Sequence, residues 1–152
     1  MPFLQGGVPR YTGRVITGAD RRTRMARLKH IAIRTEDVPR TAAFYKAAFD
    51  LEEVGKGRSG VYLSDGHVNL AILNLKTPAS RAGVDHLGFQ VNDLEGTVAR
   101  VTKLGGRLTE TAPEAPVEDP AQPRSYFEVK VAGPDGQEID VSDNGWAGAH
   151  GK

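Results

Sequence analysis

Apolar and polar positions alternate along most of the chain, and helical spacing interrupts the alternation twice. From His30 the sequence runs His-Ile-Ala-Ile-Arg-Thr-Glu-Asp. Ile31 and Ile33 share one parity; His30, Ala32 and Arg34 share the other. This predicts a strand with one uniformly apolar face. Lys29 takes the parity of the isoleucines and Leu28 that of His30, which reads as a frayed strand start. Asp37 then offers a helix N-cap, and Pro39 falls in the first turn, where its missing N–H costs nothing. Val38, Ala42, Tyr45 and Phe49 recur at helical spacing, so the unit is strand, then helix.

The unit returns 56 residues later as His86-Leu-Gly-Phe-Gln-Val-Asn-Asp93. Leu87, Phe89 and Val91 oppose His86, Gly88, Gln90 and Asn92. Asp93 caps a run with Leu94, Val98, Val101 and Leu104 on one face, and Gly105-Gly106 supplies its stop. Short alternating runs follow each helix, at about 51–55, 60–64 and 67–73, then about 107–111, 125–132 and 137–142. The last hairpin of each copy turns at Asp-Gly: Asp65-Gly66 and Asp135-Gly136. Those turns are 70 residues apart, so the second copy is longer. The excess lies in Glu110–Arg124, which holds four of the nine prolines and reads as a surface loop, either a lid or a passive insertion. The expected organisation is an extension (1–26), a first βαβββ module (27–76), a linker (77–83), a second module (84–146) and a tail (147–152), in the α+β class.

The apolar parity should pack on the helices, leaving the other parity facing away from them. That second face collects a histidine from the first strand of each copy, His30 and His86. It also carries Glu128, Lys130, Glu138 and Asp140 from the late strands of the second copy. Two imidazoles and one carboxylate form the donor set of a mononuclear metal site with open positions. Either histidine alone reads more readily as a satisfied sheet residue than as a ligand. Their matched placement in a repeat is what argues for a site. Glu128 is a candidate to remove a proton beside a carbonyl, or else the partner of a basic side chain. Tyr62, Tyr126 and His67 are candidate donors to a bound oxyanion. Arg34, Gln90, Lys130 and Glu138 share the polar face as candidate substrate contacts, with Arg34 and Lys130 suited to a carboxylate. Trp146 either closes the mouth of the site or anchors the tail by burial.

Composition narrows the classes. The 152 residues suit one domain or two small repeats sharing a core, and 39% hydrophobic with 26% charged residues is ordinary globular usage. No stretch approaches the ~18 apolar residues of a membrane helix. The absence of cysteine excludes disulfides and thiolate chemistry and fits a cytoplasmic protein. The net charge of +1 hides an asymmetry. Residues 1–29 hold seven Lys/Arg and one acid, whereas the remainder carries 13 basic and 18 acidic residues. An acidic body gives a nucleic-acid role little support. The basic arm lacks a signal-peptide apolar core, and Met25, just before the first patterned strand, is a candidate alternative start.

With these residues in view, the chain from about 27 to 146 resembles the vicinal oxygen chelate superfamily. That superfamily includes glyoxalase I, extradiol dioxygenases, methylmalonyl-CoA epimerase and bleomycin-resistance proteins. In the first copy the resemblance is carried by His30-Ile-Ala-Ile, Asp37, Ala43-Phe44-Tyr45 and Asp65-Gly66-His67-Val68-Asn69-Leu70. In the second it is carried by Asp85-His86-Leu87-Gly88-Phe89 and Pro134-Asp135-Gly136-Gln137-Glu138-Ile139-Asp140. It implies paired βαβββ modules forming an open cup of roughly eight mixed strands, with helices outside and one divalent ion inside: Fe, Mn, Ni, Zn or Co. The metal positions it implies are His30, His86 and Asp140, the last lying four residues after the turn glycine, with Glu138 in reserve. The same count in the first module lands on Leu70, which cannot ligate, and Asn69 beside it is the nearest donor. The function implied is a small metalloenzyme, a lyase, isomerase or oxygenase, acting on a substrate that chelates through adjacent oxygens. The alternatives are a metal-free binder that sequesters a small molecule, or a regulatory module with a relic site. Homodimerisation is the family habit, and exposed module edges give it a physical reason.

Overall fold

A computed structural model describes residues 25–110 and 128–151. The elements run β1 (Arg27–Thr35), α1 (Val38–Phe49), β2 (Glu52–Gly57), β3 (Gly60–Ser64) and β4 (Asn69–Asn74). The second set is β5 (Gly83–Gln90), α2 (Leu94–Lys103), β6 (Arg107–Glu110), β7 (Val129–Ala132) and β8 (Glu138–Ser142). The repeat is therefore βαβββ twice, as its pattern predicts. The Asp37 carboxylate accepts from Arg40 N and the Asp93 carboxylate from Gly96 N, each at 2.9 Å, so both helices start on the same cap. Among the described residues no helix is long and apolar enough to cross a membrane.

The strands form one open eight-stranded sheet in the order β2-β3-β4-β1-β5-β8-β7-β6. The order is the same four-strand pattern laid back to back. Each module pairs its first and last strands in parallel, and β1 meets β5 antiparallel at the centre. The cores are correspondingly separate. Val38 and Ala42 of α1 pack with Leu63 and Ile72, joined by Ile33, Tyr45 and Leu70. Leu94, Val98 and Val101 of α2 pack with Val91, Val129, Val131 and Val141. These clusters hold the apolar parity of the strands, which leaves the histidine-bearing parity on the opposite face of the sheet.

Two local expectations are corrected. Lys29 is not at a frayed end: the β1–β5 register shifts between Leu28 and His30, a bulge that reverses the side-chain alternation there. Lys29 is buried, and its ammonium donates to the carbonyls of His67 and Gly151. Phe49 and Leu104 close the apolar stripes of their helices but are exposed. The tail crosses between the modules. Past Ser142 it reaches the first, where Ser64 Oγ donates to Gly148 O and Gly151 N to Gly66 O. The Pro-rich segment, Tyr126 and most of the basic extension lie outside the described residues.

Candidate metal centre

The central strands set the site by register. His30 on β1 stands between Asn69 on β4 and Gly88 on β5. Gly88 in turn pairs with Asp140 on β8, and His86 with Ala32. Three donors from three strands thus converge. His30 Nε2 lies 3.2 Å from His86 Nε2, and His86 Nε2 lies 3.0 Å from Asp140 Oδ2. The three donor atoms all fall within 4.8 Å of one another, and all three residues are buried.

The far side of each ring is already engaged. His30 Nδ1 donates to Asn69 Oδ1 at 2.8 Å, and His86 Nδ1 to Asp85 Oδ2 at 2.7 Å. Protons held at both Nδ1 atoms leave both Nε2 lone pairs facing each other. Asp140 is fully buried, and its Oδ2 has no hydrogen-bond donor, whereas its Oδ1 accepts from Lys130 Nζ at 2.6 Å. Two facing lone pairs and an orphaned buried carboxylate oxygen call for a cation between them. Bonds of ~2.0–2.2 Å at right angles place neighbouring donors ~3 Å apart, close to the spacings found here. The residues present therefore fit a divalent ion.

Electrostatics treat the two histidines differently: His30 is held neutral, whereas His86 shares its charge with Asp140 and would give up a proton to a bound cation. Burial holds the His30 imidazole down, to about 4, so it stays neutral as a ligand must. Burial pushes His86 the same way, but the Asp140 carboxylate outweighs it and raises the group. Burial also works to raise Asp140, yet His86 and Lys130 pull it below the usual carboxylate range. Glu128 goes the other way: burial and the neighbouring Asp140 charge push it up to about 7. Burial depresses Lys130 less than Asp140, Glu128 and Glu138 raise it.

A cavity of about 420 Å³ opens on His30 and His86. Arg34, Arg58, Tyr62, Glu128, Lys130 and Trp146 line it, with Ala71 and Leu73 as its apolar floor. A second cavity of about 500 Å³ adjoins it, sharing Arg34 and Lys130 and adding Lys76, Arg107 and Glu138. Trp146 is only 5% exposed; its ring stacks on His30 and its Nε1 donates to Glu128 Oε2 at 3.0 Å.

Several candidates sit elsewhere. Asn69 spends its carbonyl on His30 and its amide on Ala147 O, so it orients a ring and is not a spare donor. Glu138 approaches His86 from the Nδ1 side at 3.6 Å, behind the ring, and pairs with Lys76. His67 is exposed in the turn before β4, with its ring against Gly151. Gln90 lies against Gly145 and does not line the cavity. Counting from the turn glycine also misplaces the fourth corner. Register pairs Ala32 with Ala71 as it pairs Gly88 with Asp140, so the first-module counterpart of Asp140 is Ala71, which bears no donor. The loop after Gly66 is one residue longer than the one after Gly136, and that shift defeated the count. Asp85 was missed as the partner of His86, although it directly precedes it in the chain.

The model of the Glyoxalase/Bleomycin resistance protein/Dioxygenase superfamily matches residues 27–141, most of the chain. The chain belongs to this superfamily. Among solved structures it is similar to the 2,3-dioxygenase LapB from Pseudomonas sp. KL28, at 25% identity and TM-score 0.63, over 85% of this chain and 44% of that one. The chain thus spans less than half the length of that dioxygenase. Methylmalonyl-CoA epimerases share the fold. The Streptomyces coelicolor enzyme is 19% identical with TM-score 0.59, over 77% of this chain and 96% of its own. The Mycobacterium tuberculosis enzyme is 18% identical with TM-score 0.55, over 75% and 85%. No curated protein matches the chain.

Proposed function

We propose that this superfamily member is a metal-dependent enzyme acting on a small molecule that offers two adjacent oxygens to a divalent ion held by His30, His86 and Asp140. One observation carries the reading. The three donors meet with both Nδ1 atoms engaged behind them and with Asp140 Oδ2 buried and lacking a donor. A bound divalent ion would act as a Lewis acid on the chelated oxygens.

The remaining work belongs to the chain. Glu128 borders the cavity and is held near neutrality, so it can take a proton from a carbon beside a carbonyl and return it. Tyr62 lines the cavity where it can donate to an oxygen of the substrate. Arg34 and Lys130 face the same space and suit an anionic substituent. With Ala71 in place of a fourth donor, a face of the site is left to substrate. Proton transfer, as in an isomerase, epimerase or lyase, is the reaction class that Glu128 favours. Oxygenase chemistry is the second reading, because two histidines and one carboxylate are also the donor set of iron(II) oxygenases.

Metal content of untagged protein purified without chelator and under low oxygen tests the first step. We expect about one equivalent per chain, lost in His30→Ala and in His86→Ala with the fold kept. A double variant that still held one equivalent would overturn the assignment. Iron or manganese with O₂ uptake on catechols would select the oxygenase reading. Nickel, zinc or cobalt with solvent-hydrogen exchange on 2-oxo thiohemiacetals or acyl-CoA esters would select proton transfer. A chain that neither holds nor gains metal is a binder instead.

A further inference from the structure

We propose that Trp146 is a positioning residue that holds His30 and Glu128 as one unit, so that a single side chain sets both the cation site and the proton-transferring group. The proposal rests on the cation reading above for its His30 half; its Glu128 half stands on geometry alone. Trp146 is the sole tryptophan of the chain. Its ring lies 5.0 Å from that of His30, centroid to centroid, and within 8° of parallel. Its indole N–H reaches Glu128 Oε2. A flat ring wide enough to cover an imidazole, with a donor at its edge, is what an indole supplies and a phenyl does not.

The surroundings are cut to this placement. A β-carbon built on Gly88 would lie 2.7 Å from His30 Cβ and 2.8 Å from Trp146 Cζ2, so the stack exists because residue 88 has no side chain. Gly145 and Gly148 both adopt φ of +74°, turning the chain on either side of Trp146. The next carbonyl, Ala147 O, accepts from Asn69 Nδ2, and Asn69 Oδ1 accepts from His30 Nδ1. The tail therefore grips His30 by its face and, through Asn69, by its edge. The bonds of Ser64 to Gly148 and of Gly151 to Gly66 fasten the tail to the first module. Any buried indole N–H needs an acceptor; here the acceptor is Glu128, a carboxyl that lines the cavity beside His30.

One labelled sample of the full chain reads both halves, because a single tryptophan gives a single indole ¹⁵N–¹H resonance. Glu128→Gln replaces the carboxyl acceptor with a weaker amide one, and we expect the indole proton to move upfield. One equivalent of Co²⁺ should broaden the same resonance, and His30→Ala should abolish the broadening. Trp146→Phe keeps a stacked ring and should bind Co²⁺ within about 3-fold of the parent, while Trp146→Leu should lose about 10- to 100-fold. An indole resonance indifferent to Glu128→Gln overturns the Glu128 half. An indole resonance unbroadened by Co²⁺ that dialysis shows to be bound overturns the His30 half, as does parental affinity in the leucine variant. A parent chain that takes up no Co²⁺ overturns the cation reading itself, while the Glu128→Gln shift still decides the other half. Neither resonance measurement alters Trp146, so a leucine variant that fails to fold leaves the outcome decided by them.

Discussion

His30 is bound at its Nδ1 by Asn69, covered on one ring face by Trp146 and opposed at its Nε2 by His86. Asn69 is the smallest part of that cage and the one whose removal is easiest to read. Its amide is fully enclosed, with both ends paired. Asn69→Ala leaves the His30 Nδ1 proton and the Ala147 carbonyl without partners, and a buried group left unpaired costs about 1–3 kcal/mol. It also frees the imidazole to change tautomer, and loss of such an outer partner weakens a metal site about 10- to 100-fold. We therefore expect both a lower thermal midpoint and weaker Co²⁺ uptake, measured by melting and by titration on one preparation. Asn69→Asp retains an acceptor for Nδ1 and should recover part of the affinity without recovering the Ala147 bond. Equal affinities in the parent and the alanine variant would show that Asn69 does not orient the ligand.

At the scale of elements, the β1–β5 pair carries the site, and Gly88 is where packing leaves no tolerance. Gly88→Ala would press a methyl against His30 Cβ and the Trp146 ring, neither of which is a flexible end. Overpacking of this kind costs about 1–3 kcal/mol. Because the displaced group is His30, metal affinity should fall with stability, while a substitution at exposed Gly105 should leave affinity unchanged. Chemical denaturation and metal titration of the two variants would separate these outcomes. The repeated strand–helix unit, its aspartate caps and the face shared by His30, His86 and Asp140 were legible in the sequence, because alternation and capping are local signals. The bulge at Lys29, the extra residue after Gly66 and the docking of Trp146 were not. The parity break at Lys29 was visible, but whether it meant fraying or a bulge depends on the strand opposite, as the other two depend on which strand or loop they meet. The count that pointed to Leu70 and Asn69 assumed equal loops, and only the β1–β4 register shows Ala71 in that corner.

Across the whole molecule, the two modules keep separate cores and share one sheet. Among what joins them are the β1–β5 pairing, the ion pairs of Arg34 with Asp85 and of Lys76 with Glu138, the tail bonds to the first module, and the donor cluster itself. His30 comes from the first module, and His86 and Asp140 from the second. An ion held by those three residues would cross-link the modules, and anything that binds the folded chain alone stabilises it by mass action. Free metal at 1,000 times its Kd contributes about 4 kcal/mol, which in a chain of this size raises the melting midpoint by roughly 10 °C. We expect chelator to lower the midpoint by that order and added metal to restore it. His86→Ala should melt at one temperature in either condition. Amide exchange adds the location: protection gained on metal addition should concentrate in β1, β5 and β8 and should be small in β2 and β6 at the sheet edges. A metal-dependent gain spread evenly over the sheet, or present in His86→Ala, would mean that the ion binds elsewhere and that the two modules are held together without it.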